Sequence, residues 1–151
     1  MNEDILILEK KINNFNNLYN KYKKDNSVDS IKLKECLCDI LTWFEICLKT
    51  STNFNSLESE KVSGIRYANN VKKHSLSIFK YTLQTYALYP SNELYPSVGL
   101  YPSTFNIFWN SLPLDNSKFT NQYNNYKKHF EGKDLYSSLN EMFNIIKSHY
   151  N

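Results

Sequence analysis

The chain has 151 residues, 15% of them aromatic, and a formal net charge of +3. This length predicts one domain with a hydrophobic core, and the aromatic content argues against an intrinsically disordered chain. The small charge permits an RNA partner without requiring one. No apolar run is long enough to predict a membrane span, and the acidic N-terminus is unlike a secretory signal, so we expect a cytoplasmic protein with no membrane partner.

Apolar residues spaced three and four apart predict a first helix over about residues 3–24 and a second helix that follows a turn and extends to about Leu48. Ser27 or Ser30 is the expected N-cap of the second helix. The inward-facing residues are Ile5, Leu8, Ile12, Phe15, Tyr19 and Tyr22 in the first helix, and Ile31, Leu37, Ile40, Leu41, Phe44 and Leu48 in the second.

All three cysteines, Cys36, Cys38 and Cys47, fall in the second predicted helix. An odd number without paired spacing does not indicate a disulfide framework, and Cys36 and Cys38 point to different faces of a helix. The chain also has no glycine-rich phosphate loop, zinc-binding helix motif or nucleophile elbow. We therefore expect reduced thiols, no metal and no cofactor.

A third helix is predicted from about residue 56 to about residue 76. Ser56 and Ser59 precede its apolar positions Val62, Ile65 and Ala68, which continue with either Val71 or His74. Gly64 lies inside this helix, and because an interior glycine costs about 1 kcal/mol relative to alanine, we expect a close contact with another helix there.

Residues 77–115 form a different kind of segment, which contains three copies of the phrase Leu-Tyr-Pro-Ser. Each proline restricts its own backbone and that of the preceding tyrosine, so no helix crosses this stretch. We predict an extended insertion or a short hairpin that is anchored by Trp109. Most of Tyr89, Tyr95, Tyr101 and Trp109 are expected to be buried.

Two more helices close the chain. Asn116 or Ser117 is the expected cap of the fourth, which ends near Gly132. Its inward residues are Phe119, Tyr123, Tyr126 and Phe130, and those of the fifth helix are Leu135, Leu139, Met142, Phe143 and Ile146. The predicted fold is all-α, an antiparallel bundle of four to five helices in one domain, with the proline-containing insertion between the third and fourth helices.

The phrase IRYANNVKKH, residues 65–74, contains the only arginine of the chain. Arg66, Asn70 and His74 follow one another at steps of four, so they share one stripe of the third helix. An arginine binds phosphate through paired hydrogen bonds, an imidazole exchanges protons near neutral pH, and an asparagine amide orients either group. These residue types suit a ribonuclease that needs no metal.

With Asn69, these residues resemble the signature of the HEPN superfamily, in which an arginine and an adjacent polar residue precede a histidine. The aromatic insertion, Trp109 and the break at residues 131–135 before the last helix fit the wider layout. Arg66 and His74 are separated by more residues than in the catalytic motif of the family. The resemblance therefore leaves open whether the chain cleaves RNA or only binds it.

The resemblance implies a helical bundle that pairs as a homodimer, with Arg66 and His74 of two subunits lining one cleft. It also implies RNA cleavage in toxin–antitoxin or antiviral defence, with an antitoxin or defence protein as a further partner. In this assignment Arg66, Asn70 and His74 are catalytic. Asn69, Lys72 and Lys73 contact RNA, although paired lysines also occur on helix faces that contact only solvent.

A second interpretation is a non-enzymatic helical module for dimerisation or protein interaction. The phrase NNYKKH at residues 124–129 nearly repeats NNVKKH at residues 69–74, so this composition produces the pattern without a site. In that case Arg66 and His74 belong to a polar seam between packed helices. His129 and His149 are expected at the surface or at helix ends.

Overall fold

The computed structural model describes residues 3–72, 77–85, 103–114 and 116–150, with the backbone alone at positions 84, 85, 103 and 104. These ranges contain five α-helices and a two-stranded antiparallel sheet, so the fold is mostly helical, as predicted. No helix within them is long and apolar enough to cross a membrane. The elements in chain order are α1 Glu3–Asp25, α2 Ser30–Leu48, α3 Ser56–Lys72, β1 Phe79–Thr85, β2 Ser103–Trp109, a 3₁₀ helix Ser117–Phe119, α4 Thr120–His129 and α5 Leu135–His149.

Helices α1 and α2 form an antiparallel hairpin, and the predicted stripe of α1 is buried at Ile5, Leu8 and later positions. The start of α2 differs from the prediction. Asp29 is the N-cap, because its side chain accepts a hydrogen bond from the backbone N–H of Lys32 at 3.1 Å, in place of Ser27 or Ser30.

Ile31, which was predicted to face the core, is 71% exposed. The buried face of α2 begins at Leu33 and continues through Leu37 and Ile40. Ile31 precedes Leu33 by two residues, which on a helix is a rotation of about 200°, so it points away from the core.

Helix α3 begins where it was predicted to begin, but with different capping residues. Asn55 Oδ1 accepts a hydrogen bond from the backbone N–H of Glu58 at 2.8 Å, and Glu58 Oε1 accepts one from the N–H of Asn55 at 3.0 Å. This reciprocal pair is a capping box, and it takes the role predicted for Ser56 and Ser59.

The close contact predicted at Gly64 is confirmed, and its partner is α4. A Cβ atom at this position would lie 2.8 Å from the ring of Phe130 and 3.1 Å from a backbone carbon of Asn125. Only glycine permits this approach without a shift of the neighbouring atoms. The last predicted turn of the third helix, residues 73–76, lies outside the described residues.

Strands β1 and β2 pair in register from Phe79 opposite Trp109 to Thr85 opposite Ser103. Trp109 is fully buried, as predicted, and its backbone N–H donates to the carbonyl of Lys133 at 3.1 Å. The sheet is thereby joined to the turn between α4 and α5. The three repeated tyrosines, Tyr89, Tyr95 and Tyr101, and the prolines that follow them lie outside the described residues.

The C-terminal part of the chain follows the prediction closely. Asn116 caps the 3₁₀ helix that leads into α4, and α4 ends at His129, three residues before Gly132. The chain turns after α4, and Gly132 fits this turn because glycine readily adopts the positive φ of 74° found there. The five residues predicted to face inward from α5 are its buried residues, Leu135, Leu139, Met142, Phe143 and Ile146.

Candidate functional site

Arg66 projects from α3 toward α2. Its Nε donates a long hydrogen bond of 3.4 Å to Glu45 Oε2, and the two side chains are 39% and 34% exposed. The two terminal nitrogens of the guanidinium have no hydrogen-bond partner within the described part of the chain. These nitrogens form the planar pair of donors that binds phosphate oxygens side by side, so the placement suits anion binding.

A small cavity of about 260 Å³ lies beside Arg66. Three serines, Ser51, Ser59 and Ser63, are among the residues that line it, together with Gln122 of α4. The hydroxyl of Ser51 is engaged, since it donates to the carbonyl of Cys47 at 2.9 Å. The volume is below the range of about 300–1,000 Å³ typical of ligand pockets, so it suits a phosphate group or a sugar better than a whole drug-sized ligand.

Asn70 lies close to this cavity through its contact with α4. Its side-chain Nδ2 donates to Gln122 Oε1 at 3.1 Å, and Gln122 also lines the cavity beside Arg66. Gln122 therefore links Asn70 to the cavity that Arg66 lines. His74 and Lys73 lie outside the described residues, and their assigned roles remain predictions.

Asn69 is buried, and Lys72 faces α2. Asn69 is only 6% exposed, so it has no surface through which to reach RNA, and its Oδ1 has no hydrogen-bond partner among the described residues. The ammonium group of Lys72 donates to the carbonyl of Cys38 at 2.7 Å and to the hydroxyl of Thr42, both on α2. Lys72 therefore borders a groove next to α2 and does not line the cavity beside Arg66.

A histidine–carboxylate pair between α3 and α4 is the feature that sequence reasoning missed. His129 is at a helix end, as predicted, but its side chain is only 9% exposed and its Nε2 lies 2.8 Å from Glu60 Oε1. Lys128 donates to the same oxygen at 2.9 Å. These hydrogen bonds, the one from His129 first, lower the pKa of Glu60.

The sequence offered no signal for these partners. Glu60 and His129 are 69 positions apart, and Asn70 and Gln122 are 52 apart. Helical periodicity relates only residues within a few turns of one helix. Contacts between helices so distant in the chain depend on how the helices pack.

The cysteines form no disulfide, and burial raises the pKa of Cys36 and Cys47 to about 11. Their thiols are therefore protonated at neutral pH and are weak nucleophiles. Within the described ranges, no three histidine, cysteine or acidic side chains form a group able to hold a metal ion. Neither protein-family models nor curated proteins nor solved structures gave a match to this chain.

Proposed function

We propose that this chain is a HEPN-like RNA-binding protein of the cytosol that cleaves RNA without a metal, in a toxin–antitoxin or antiviral defence system. One observation carries the proposal: Arg66 holds its two terminal nitrogens unpaired, among the described residues, beside a cavity that three serines help to line. Asn70 lies next to the same cavity through Gln122. This arrangement provides a place for one phosphate group and a neighbouring ribose.

The proposed reaction is transfer of the phosphodiester to the neighbouring 2′-hydroxyl. The 2′-oxygen attacks phosphorus, the bond to the 5′-oxygen of the next nucleotide breaks, and the products are a 2′,3′-cyclic phosphate and a 5′-hydroxyl. In this scheme Arg66 holds the phosphate and stabilises the charge that develops on its oxygens. His74 takes the proton of the 2′-hydroxyl and delivers it to the leaving 5′-oxygen, since imidazole titrates near neutral pH, and Asn70 orients the reacting groups.

The proposal includes a homodimer, because the resemblance implies that two copies of Arg66 and His74 line one cleft. In such a paired site, either subunit can supply the arginine that holds the phosphate or the histidine that moves the proton. Sedimentation of the purified protein measures this directly. If the protein sediments as a monomer at micromolar concentration, the paired site is wrong.

The test of the activity is incubation of the purified protein with single-stranded RNA in the presence of a chelator, beside the Arg66→Ala and His74→Ala variants. We expect cleavage by the wild type that ends in 2′,3′-cyclic phosphates, and a loss of at least a hundredfold in each variant, as is typical of a removed acid–base or charge-stabilising group. Lys127→Ala is the matched control, since it removes an exposed cation from α4. Equal cleavage by all four proteins would contradict the assignment.

A second candidate is a non-enzymatic module that binds another protein or a second copy of itself. The specific observation in its favour is that Arg66 bonds to α2 and Asn70 to α4, as in a polar seam. Both members of the Arg66–Glu45 pair are more than a third exposed, so removing the pair is expected to cost only about 0–1 kcal/mol in stability.

The two candidates differ in what Arg66→Ala changes. For the module we expect dimerisation or partner binding to weaken while no RNA cleavage is detected in the wild type. For the ribonuclease we expect cleavage to be lost while the melting temperature stays within a few degrees. Measuring RNA cleavage and dimerisation for the wild type and Arg66→Ala therefore separates the candidates.

A further inference from the structure

A second surface, larger than the cavity beside Arg66, lies along the α1–α2 hairpin. It is an open groove of about 830 Å³, which we call the α1–α2 groove. The end of α3 contributes to it through Lys72. The charged residues that line the groove are Lys11, Lys21, Lys32, Lys72, Glu35 and Asp39.

The charges of the groove do not cancel. Lys11 forms an ion pair with Asp39 at 2.7 Å, so this lysine and this acid largely neutralise each other. Lys21 and Lys32 are exposed and have no ion-pair partner among the described residues. With Lys72 they outweigh the remaining acid, Glu35, so the groove carries an excess of positive charge that attracts anions.

Cys36, one of the two cysteines that line the groove, does not add a negative charge. Burial is the main cause of the raised pKa of Cys36, about 11, so its thiol is neutral at physiological pH. The remaining polar lining consists mainly of the side chains of Asn14, Asn17 and Thr42, which donate and accept hydrogen bonds without charge. Such groups contact a sugar–phosphate chain without selecting among bases.

The length of the groove favours a chain of phosphates over a single one. Lys11 and Lys21 are ten residues apart on α1, which corresponds to about 15 Å along the helix. At a rise of about 3.4 Å per nucleotide of a stacked strand, this distance covers about four phosphates. No aromatic ring is present in the described lining of the groove, so bases have no stacking platform and the contacts are to the backbone.

The groove also reaches α3, the helix that carries the proposed site. Lys72 follows Arg66 by six residues on α3, which is about 9 Å along the helix. We infer that the α1–α2 groove binds the backbone of single-stranded RNA and leads it toward the site on α3. This inference rests on the proposed function, and it adds Lys21 and Lys32 as the residues that determine strand affinity.

The experiment measures binding of a fluorescently labelled 2′-O-methyl oligouridylate of about twelve nucleotides, which the proposed reaction does not cleave because its 2′-oxygens are blocked. Anisotropy titrations between about 50 and 300 mM salt compare the wild type with the double variant Lys21→Ala/Lys32→Ala. The matched control is Lys10→Ala/Lys24→Ala, which removes two exposed lysines of α1 that do not line the groove. Thermal melting checks that all three proteins are folded.

We expect the groove variant to bind about 25-fold more weakly at 0.1 M salt, because each lost phosphate contact reduces the salt slope of a single strand by about 0.7. Its slope should be shallower than that of the wild type by about 1.4, while the control stays close to the wild type. Equal slopes for the groove variant and the control would overturn the inference. Competition by uridine monophosphate as strong as that by the oligomer would also overturn it, since it would indicate a single-phosphate site.

The outcomes separate this inference from the function on which it rests. If the wild type binds the oligomer and Arg66→Ala weakens binding but the groove variant does not, the α3 site stands and the groove assignment is wrong. If the wild type binds no RNA at any salt concentration, the proposed function itself is wrong, and the inference falls with it.

Discussion

The near-copies NNVKKH, residues 69–74, and NNYKKH, residues 124–129, occupy very different surroundings. The first begins on α3, where Asn69 is buried, and the second lies on α4, where Asn124 is exposed. The two helices are antiparallel, since Glu60 near the start of α3 contacts His129 at the end of α4. The same residue types at the same spacing therefore have different contacts.

The difference follows from the neighbours of each helix. Helix α3 contacts α2, α4 and α5, whereas α4 packs mainly against α3. Lys72 consequently reaches α2 and is held there, while Lys127 stays exposed with its ammonium 5.4 Å from the ring of Tyr123. The repeated phrase therefore reflects composition alone. The role of each of its side chains depends on how many faces of its helix pack against other helices.

The third position of each phrase offers the largest test of this comparison, since Val71 and Tyr126 are both buried. We expect Tyr126→Ala to lower the free energy of unfolding by about 3–5 kcal/mol and Val71→Ala by about 2 kcal/mol. The ring of Tyr126 is the larger loss because it packs against Trp109 and Phe130, and its hydroxyl donates to the carbonyl of Asn110. Urea unfolding followed by circular dichroism measures both, and equal losses would contradict the comparison.

A substitution at Gly64 tests the contact that brings the two helices together. We expect Gly64→Ala to destabilise the protein by about 1–3 kcal/mol, because the new Cβ overlaps the ring of Phe130 and approaches the backbone of Asn125. This loss opposes the gain of about 1 kcal/mol in helix propensity. Ser59→Ala, at an exposed position of α3, is the control and should change stability little. A more stable Gly64→Ala protein would show that the helices separate easily.

The lysines at the fourth position of each phrase should differ by a smaller amount. We expect Lys72→Ala to cost about 1 kcal/mol, because its hydrogen bonds to the carbonyl of Cys38 and to Thr42 tie α3 to α2. Lys127→Ala should stay within about 0.5 kcal/mol of the wild type. Chemical denaturation of both variants measures these losses of stability. A loss as large for Lys127→Ala as for Lys72→Ala would contradict the comparison.

The histidine of the second phrase makes the contact between α3 and α4 sensitive to acid. The hydrogen bonds from His129 and Lys128 hold the pKa of Glu60 below its ordinary value of 4.5. A carboxyl with a lowered folded pKa stabilises fully above its unfolded pKa, and the contribution is lost as the pH falls through the folded pKa. We therefore expect the stability gap between the wild type and Glu60→Gln to shrink as the pH falls below about 4.5.

The measurement is urea unfolding of the wild type and Glu60→Gln at several pH values between 7 and 3. Glu35→Gln is the control, because Glu35 is exposed and has no ion-pair partner among the described residues. A gap that keeps the same size down to pH 3 would mean that Glu60 gains nothing from His129 and Lys128.

Much of the helical framework was predictable because local signals agreed there. The inward residues of α5 and the glycine contact on α3 follow from periodicity and from the cost of an interior glycine. The start of α2 was not predictable, since Ser27, Asp29 and Ser30 are all good caps within four positions. Asp29 is the cap, and Ile31 is exposed because it points about 200° away from the buried Leu33.

The candidate site was predictable only in part. The spacing of Arg66 and Asn70 indicated that they share a side of α3; Arg66 lines the cavity, and Asn70 is joined to it by its hydrogen bond to Gln122. Their neighbours Asn69 and Lys72 were assigned to the same surface, although Asn69 is buried and Lys72 faces α2. Residues one or two positions apart point to different sides of a helix, and the packing partners decide which side is covered.

The sequence by itself determined which segments are helical and which stripe of most helices is apolar, because these properties depend on residues within about four positions of one another. Only the tertiary structure decided that Glu45 pairs with Arg66, that Glu60 pairs with His129, and that lysines of α1, α2 and α3 line one groove. Each of these arrangements joins residues from different helices. Their proximity follows from the order and angle in which the helices pack, which no local spacing encodes.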